Sequence, residues 1–199
     1  DCQVDYQNDS NFYDKYHLPF DSRTIIYAPT FREPKSGQID LSVYWFNPDR
    51  IISCLTKRFG GDWYILVSCH PFMRDYYRQI YDFSNNKVID LGFLSDVQEL
   101  LLSSNALITD YSSVFFDYAI LNRPIYFYMY DLESYRDELR GFYLDIYQDL
   151  PGKIIEDEND LLEEMKKPFD YEKLALFNQR FNNHEDGFAS QRVVDIIFR

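Results

Sequence analysis

The stretch Ala106-Leu-Ile-Thr-Asp-Tyr-Ser-Ser-Val-Phe-Phe-Asp-Tyr-Ala-Ile-Leu-Asn-Arg-Pro-Ile-Tyr-Phe-Tyr128 joins two short apolar runs through a polar hinge and an apolar helical pattern. Two buried strands linked by a helix pair in parallel, so this unit commits the chain to an α/β sheet. Ala106–Thr109 is the first strand, Asp110 can cap, and Ser112 and Ser113 open a helix whose first backbone N–H groups lack partners. Two hydroxyls, free amides and the positive helix end can hold a phosphate without the glycines of a P-loop. The same residues can also serve as a helix cap and nothing more.

The pattern repeats along the chain. Thr24–Ala28, Trp63–Ser68, Lys87–Leu91, Ala106–Thr109 and Pro124–Met129 read as buried strands. Helical patterns separate them: Pro48–Phe59 closing at Gly60-Gly61, Pro71–Phe83 opening on proline, a capping-box pattern at Ser95–Gln98 before Glu99–Leu102, and Ser112–Leu121. The expected fold class is therefore a Rossmann-like parallel sheet with helices on both faces. Tyr130–Pro151 reads as an irregular wrap, Asn159–Lys167 as a capped helix, and Tyr171 to Arg199 as two closing helices hinged near Gly187. Residues 1–22 lack a clear period and read as a connecting segment, with 23–199 as the domain proper.

Composition removes several function classes. A net charge of -13 over 199 residues repels a polyphosphate backbone and argues against nucleic acid as a partner. Any phosphate ligand has to be small and locally held. The apolar runs fall far short of the roughly 20 residues of a membrane helix, and the chain opens without a signal-peptide pattern, which gives a soluble, cytoplasmic expectation. Cys2, Cys54 and Cys69 form no CxxC, which fits reduced thiols rather than a disulfide framework or a zinc site, and no metal site is expected.

In an open parallel sheet, ligands bind beyond the carboxyl ends of the strands, and here those positions are polar. The first strand runs into Thr30-Phe31-Arg32, the second into His70-Pro71, the fourth into Asp110-Tyr111-Ser112-Ser113 and the fifth into Tyr130-Asp131. Arg32 can grip a phosphate with its fork, and His70 can donate a proton to a leaving phosphate oxygen when that charge favours the imidazolium. Asp117, one turn beyond Ser113, can meet a ribose or stay in solvent. Each also has a plainer use: Arg32 as a surface arginine and His70 as a cap before the proline; His17 reads as structural or solvent-facing, and His184, beside the tight turn at Gly187, is left open.

These residues resemble the CDP-glycerol glycerophosphotransferases and related polyol-phosphate polymerases of teichoic acid and capsule synthesis. The likeness rests on Tyr27-Ala-Pro-Thr-Phe-Arg32, His70-Pro71, Leu91-Gly-Phe93 before Asp96, Ile108-Thr-Asp-Tyr-Ser-Ser113, Phe116-Asp117, Leu121-Asn-Arg-Pro124, Tyr130-Asp-Leu132 with Tyr135-Arg136, Arg140-Gly-Phe-Tyr143 and Glu185-Asp-Gly187. The resemblance implies the nucleotide-binding, C-terminal half of a two-domain GT-B transferase. It implies a CDP-glycerol or CDP-ribitol donor with no further cofactor, and a polymer or lipid-linked acceptor. It places Thr30, Arg32, Thr109, Asp110, Ser112, Ser113 and Asp117 around the donor and gives His70 the departure of CMP. The family's Trp-His-Gly-Thr-Pro-Leu-Lys segment has no counterpart here, so an N-terminal acceptor half is expected outside this chain. The whole enzyme would then lie peripherally on the inner face of the cell membrane, and a homo-oligomer is left open. A glycosyltransferase or nucleotide-sugar epimerase of the same architecture is the alternative enzyme, and a non-catalytic nucleotide-binding module is the alternative outside catalysis.

Overall fold

In the computed structural model, which describes residues 10–32, 46–84, 87–91, 96–135 and 144–198, the alternating pattern becomes one parallel sheet. Its strands are β1 (Arg23–Ala28), β2 (Trp63–Val67), β3 (Val88–Asp90), β4 (Ala106–Thr109), β5 (Ile125–Tyr128) and β6 (Ile154–Ile155). They lie in the order β3-β2-β1-β4-β5-β6. Every pairing is parallel. The chain moves outward from β1 to β3, returns to place β4 on the other side of β1, and moves outward again. That reversal puts the topological switch point between β1 and β4, where the loops leaving the sheet diverge.

Strand alternation divides the core in two. Ile25, Tyr27, Ile65, Val67, Ile108, Tyr126 and Tyr128 point to one face, against Ile51, Cys54 and Leu55 of α2 (Pro48–Phe59) and Leu161, Leu162 and Met165 of α7 (Glu158–Lys166). Ile26, Tyr64, Leu66, Leu107, Ile125 and Phe127 point to the other. There they meet Leu100 and Leu101 of α4 (Val97–Ser103), Phe115 and Tyr118 of α5 (Val114–Ile120), and Leu174 and Phe177 of α8 (Tyr171–Phe181). Both faces are covered, which is why the strands read as unbroken apolar runs rather than alternating ones.

Helix boundaries follow local chemistry. Asn47 Oδ1 accepts from the Asp49 and Arg50 amides ahead of Pro48, and Gly60, at φ 67°, ends α2 with its N–H on Thr56 O. The helix expected from Pro71 starts as a 3-10 turn, Pro71–Met73, before α3 (Arg74–Ile80). Asp157, two residues earlier than expected, caps α7 by accepting from the Asp160 amide. Asp96 caps α4 by accepting from the Gln98 amide; Ser95 of the expected capping box lies outside the described residues.

Three short elements had no sequence expectation: β6, α6 (Leu132–Ser134) and α1 (Ser10–Lys15). Of the segment read as a connection, Phe12, Tyr13 and Leu18 are buried in the second core. The closing helix α9 (Ala189–Ile197) has no buried residue, and Arg192 holds it to the preceding turn through both oxygens of Asp186 at 2.8 Å. Among the described residues, no helix is long and apolar enough to cross a membrane.

Gly152, just before β6, is crowded. A Cβ there would stand 3.0 Å from a carbon of the Phe127 ring and 3.2 Å from the Ile125 carbonyl oxygen, so the ring has to give by a few tenths of an ångström. Phe127 is fully buried. Gly152→Ala is expected to destabilise the chain by about 1–3 kcal/mol, read as a lower denaturation midpoint. A change below about 0.5 kcal/mol, the level of a neutral surface substitution, would show that the ring yields.

Candidate functional site

The register levels the strand ends: Ala28 stands beside Thr109, so Thr30 and Arg32 emerge next to Asp110 at the switch point. What forms there is a buried polar floor. Asp110 Oδ1 accepts from the Thr30 amide (2.8 Å), the Thr30 hydroxyl (2.6 Å) and the Tyr111 amide (2.6 Å), while Oδ2 accepts from Arg32 Nη2 at 2.8 Å. Arg32 also donates from Nε to Asp131 Oδ2 (2.8 Å), from Nη2 to Asp131 Oδ1 (3.1 Å) and from Nη1 to the Thr30 carbonyl (2.7 Å). Relative exposures of 7% for Arg32 and 1% for Asp110 place this pair inside the fold.

Aromatic rings enclose it. Tyr111 and Tyr135 stack at 3.7 Å between centroids, and the guanidinium carbon lies 4.9 Å and 4.8 Å from their rings. Tyr111 OH donates to Asp131 Oδ1 at 3.0 Å, and burial followed by the Asp131 charge pushes that phenol far above its ordinary value. Burial alone would favour a neutral Arg32. The hydrogen bonds Arg32 donates to Asp131 and the field of Asp110 outweigh it and hold the guanidinium charged.

Four of the expected site residues are engaged with one another or with the backbone in this structure. Arg32 was expected to grip a phosphate, but its fork is taken by two carboxylates. The Thr30 hydroxyl and both Asp110 oxygens are engaged with the same network. Thr109, expected at the pyrophosphate, is fully buried and donates its hydroxyl to the Ala28 carbonyl at 2.7 Å, a bond between neighbouring strands. These four residues build the floor of the strand-end edge.

The remaining expected residues are at the surface. The Ser113 side chain makes no capping hydrogen bond, and the Ser112 hydroxyl accepts only a long bond, 3.4 Å, from the Val114 amide. Ser112 thus makes one long capping contact at the helix start, and Ser113 makes none. Asp117 is exposed on α5, and burial, then the Glu185 carboxylate, raises it above the ordinary range. His70 is exposed at the end of β2, where Nδ1 accepts from the Phe72 amide at 3.4 Å and the ring lies 4.8 Å from that of Phe31. The Phe31 contact ties the β2 end to the β1 end, just as Arg32 ties β1 to β4 and β5.

Sequence reasoning missed the part played by Asp131, Tyr111 and Tyr135. The position of Asp131 after the fifth strand was the available signal; the ring stack had none. Gly92, Phe93, Arg136 and Arg140–Tyr143, which carry part of the family likeness, lie outside the described residues. Two concavities lie elsewhere: about 490 Å³ beside β5 and β6, lined by Tyr126, Gly152 and Phe169, and about 720 Å³ between α3 and β3, lined by Arg74, Arg78 and Asp90. Neither takes in the expected strand-end residues, which the sheet order sets along one edge on either side of β1, and that shared edge makes them the candidate site. Among the described residues, no cluster of His, Cys, Asp and Glu is arranged to hold a metal ion.

Comparison with known proteins gives the relatives of this chain. The chain is 38% identical over 190 residues to a teichoic acid glycerol-phosphate transferase of Staphylococcus aureus, covering 93% of this chain and 47% of that protein. It is 37% identical over 210 residues to a teichoic acid poly(glycerol phosphate) polymerase of Staphylococcus epidermidis, covering 100% of this chain and 28% of that one. The solved structure of the wall teichoic acid polymerase TagF superposes with a TM-score of 0.70 at 38% identity, covering 98% of this chain and 48% of that one. A TagF variant soaked with CDPG gives a TM-score of 0.71. The chain thus spans about half the length, or less, of these relatives. The sequence model of the CDP-glycerol:poly(glycerophosphate) glycerophosphotransferases matches residues 2–199, and the chain belongs to that family.

Proposed function

We propose that this chain is the donor-side domain of a polyol-phosphate transferase, holding CDP-glycerol or CDP-ribitol while an acceptor hydroxyl displaces CMP. The observation that carries the reading is the family match over residues 2–199 together with uncommitted polar side chains at the switch-point rim. In this reading, Ser112 and Ser113 face the diphosphate, Asp117 with Glu185 faces the ribose side, and His70 assists departure of the nucleoside monophosphate. Thr30, Arg32, Thr109 and Asp110 hold the rim in place without touching the donor. The domain runs from residue 23 to 199, with residues 10–22 packed onto it and an acceptor half supplied by polypeptide outside the chain. A polymer or lipid-linked acceptor and a position at the inner membrane face belong to the whole enzyme. Most of the rate would come from positioning and charge stabilisation, as is usual for phosphoryl transfer.

Calorimetry with CMP, CDP-glycerol, CDP-ribitol and UDP-sugars tests the donor. A cytidine nucleotide is expected to bind, and replacing Ser112 and Ser113 together with alanine is expected to weaken it by about 1–3 kcal/mol with the melting temperature unchanged. Silence at millimolar cytidine nucleotide, or tighter binding of a UDP-sugar, would overturn the donor assignment.

A further inference from the structure

We propose that Arg74 and Arg78 of α3 hold a phosphodiester of the acceptor chain, just beyond the strand-end edge that carries the donor. The proposal rests on the donor-site reading above and adds to it a place for the second substrate. Its basis is a pair of arginines with donors to spare. Arg74 Nε donates to Asp90 Oδ2 at 3.0 Å, Arg78 Nε donates to the same oxygen at 3.1 Å, and Arg78 Nη2 lies 3.0 Å from it. Two guanidinium charges thus meet one carboxylate, which closes β3 with its side chain 12% exposed. A guanidinium carries five N–H donors. Most of those on this pair have no protein partner among the described residues. Arg32 is the opposite case, with its fork spent on two carboxylates and a carbonyl inside the fold.

Both forks are part-exposed and line the concavity of about 720 Å³ between α3 and β3. One other charged residue lines it, Asp82, and its Oδ1 accepts from the Ser84 amide at 2.9 Å and the Ser84 hydroxyl at 2.6 Å. The neighbouring Cys69 thiol adds no charge, because burial, then the Asp90 carboxylate, pushes it up to about 11. A single arginine would be enough to tie Asp90 and the edge strand β3 to α3. The second leaves the Arg74-Arg78-Asp90 trio with an excess positive charge. In a chain of net charge -13, a phosphate polymer is held only where such an excess exists locally.

Position along the chain connects the pair to the donor edge. The 3-10 turn Pro71–Met73 leads from His70, at the end of β2, straight into α3, whose first residue is Arg74. Arg78 follows one helical turn later on the same face, with roughly 5–6 Å between Cβ atoms, a step that successive phosphates joined through a short polyol can match. A phosphodiester keeps one negative charge and two free oxygens. A guanidinium fork meets such a pair of oxygens through two parallel N–H bonds, which an ammonium does not. An acceptor chain held along α3 in this way would have its growing end directed at the strand ends, where the activated polyol phosphate lies.

In the full-length enzyme, with CDP-glycerol as donor and a short poly(glycerol phosphate) as acceptor, Arg74→Gln combined with Arg78→Gln is expected to raise the KM for acceptor by about tenfold and to leave the Kd for CDP-glycerol unchanged, as for lost charge-assisted hydrogen bonds at a part-exposed site. Asp90→Asn removes the competing carboxylate and frees both forks. It is expected to lower the acceptor KM by about threefold at low salt, a gain that no loss of folding produces and that screening abolishes at high salt. Calorimetry of the same oligomer with this chain is expected to rank the three proteins in the same order. The proposal is overturned if the double glutamine variant keeps its acceptor KM within about twofold of wild type, or if Asp90→Asn fails to tighten acceptor binding. It is also overturned if the arginine variant loses CDP-glycerol instead, which would put the pair in the donor site. Failure of the acceptor measurements alone leaves the donor reading standing, whereas absence of cytidine nucleotide binding by the wild-type chain removes both.

Discussion

Asp110→Ala lowers the stability of the chain by about 3–5 kcal/mol, the cost of removing one partner from a buried ion pair. Four hydrogen bonds end on this carboxylate, three at Oδ1 and one at Oδ2. Without it, the Thr30 and Tyr111 amides lose their acceptor, and Arg32 keeps only Asp131 and a carbonyl. A loss of this size is a large share of the 5–15 kcal/mol that holds an ordinary domain together. In urea, the unfolding midpoint falls with little change in slope. Asp110→Asn costs less, because it preserves shape, yet it sets an amide N–H against either Arg32 or the Thr30 donors. A stability within about 1 kcal/mol of wild type for Asp110→Ala would show that water satisfies the floor, and that the network positions nothing.

The isolated chain is expected to bind a CDP-activated polyol and to release no CMP from it above background when acceptor is added. Turnover appears only when acceptor-side polypeptide is joined to it or supplied alongside. The relatives that share its sequence are about twice its length or more, with 47% and 28% of them covered. Two-substrate transfer depends on holding both reactants in line, an advantage of up to about 7–11 kcal/mol that a single binding surface does not provide. The assay is CMP release with and without acceptor, alongside calorimetry to establish that donor is bound. Robust acceptor-dependent release by the 199-residue chain alone would put the complete active site within it and sink the donor-half reading.

The sheet was legible because its strands carry their own boundaries. Ala106–Thr109 and Pro48–Phe59 appear with the limits the sequence suggests, and the other expected strands differ from the observed ones by a residue or so at their ends. β6 escaped notice because Ile154–Ile155 is too short to show a period, and α1 because Phe12 and Tyr13 sit among polar residues that hide their burial. At the site, sequence position separated the rim from the rest of the surface but not the rim from its floor. Arg32, Thr30 and Asp110 have the donors and acceptors of ligand-binding groups, and nothing in their order along the chain says that they bind one another. Only their burial and mutual distances distinguish the two uses.

The Arg32 floor also has a consequence for when the site comes into being. Arg32 meets Asp110 across 78 residues of sequence and Asp131 across 99. Contacts at such separation carry a loop-closure cost and form slowly compared with helices and neighbouring strands. During synthesis, Arg32 emerges long before either carboxylate, and its charge stays in water until β4 and β5 have joined the sheet. The floor thus cannot close before β4 and β5, which carry the two carboxylates at their ends, have joined the sheet. The strand-end edge therefore acquires its floor only in a chain that has already assembled the middle of its sheet.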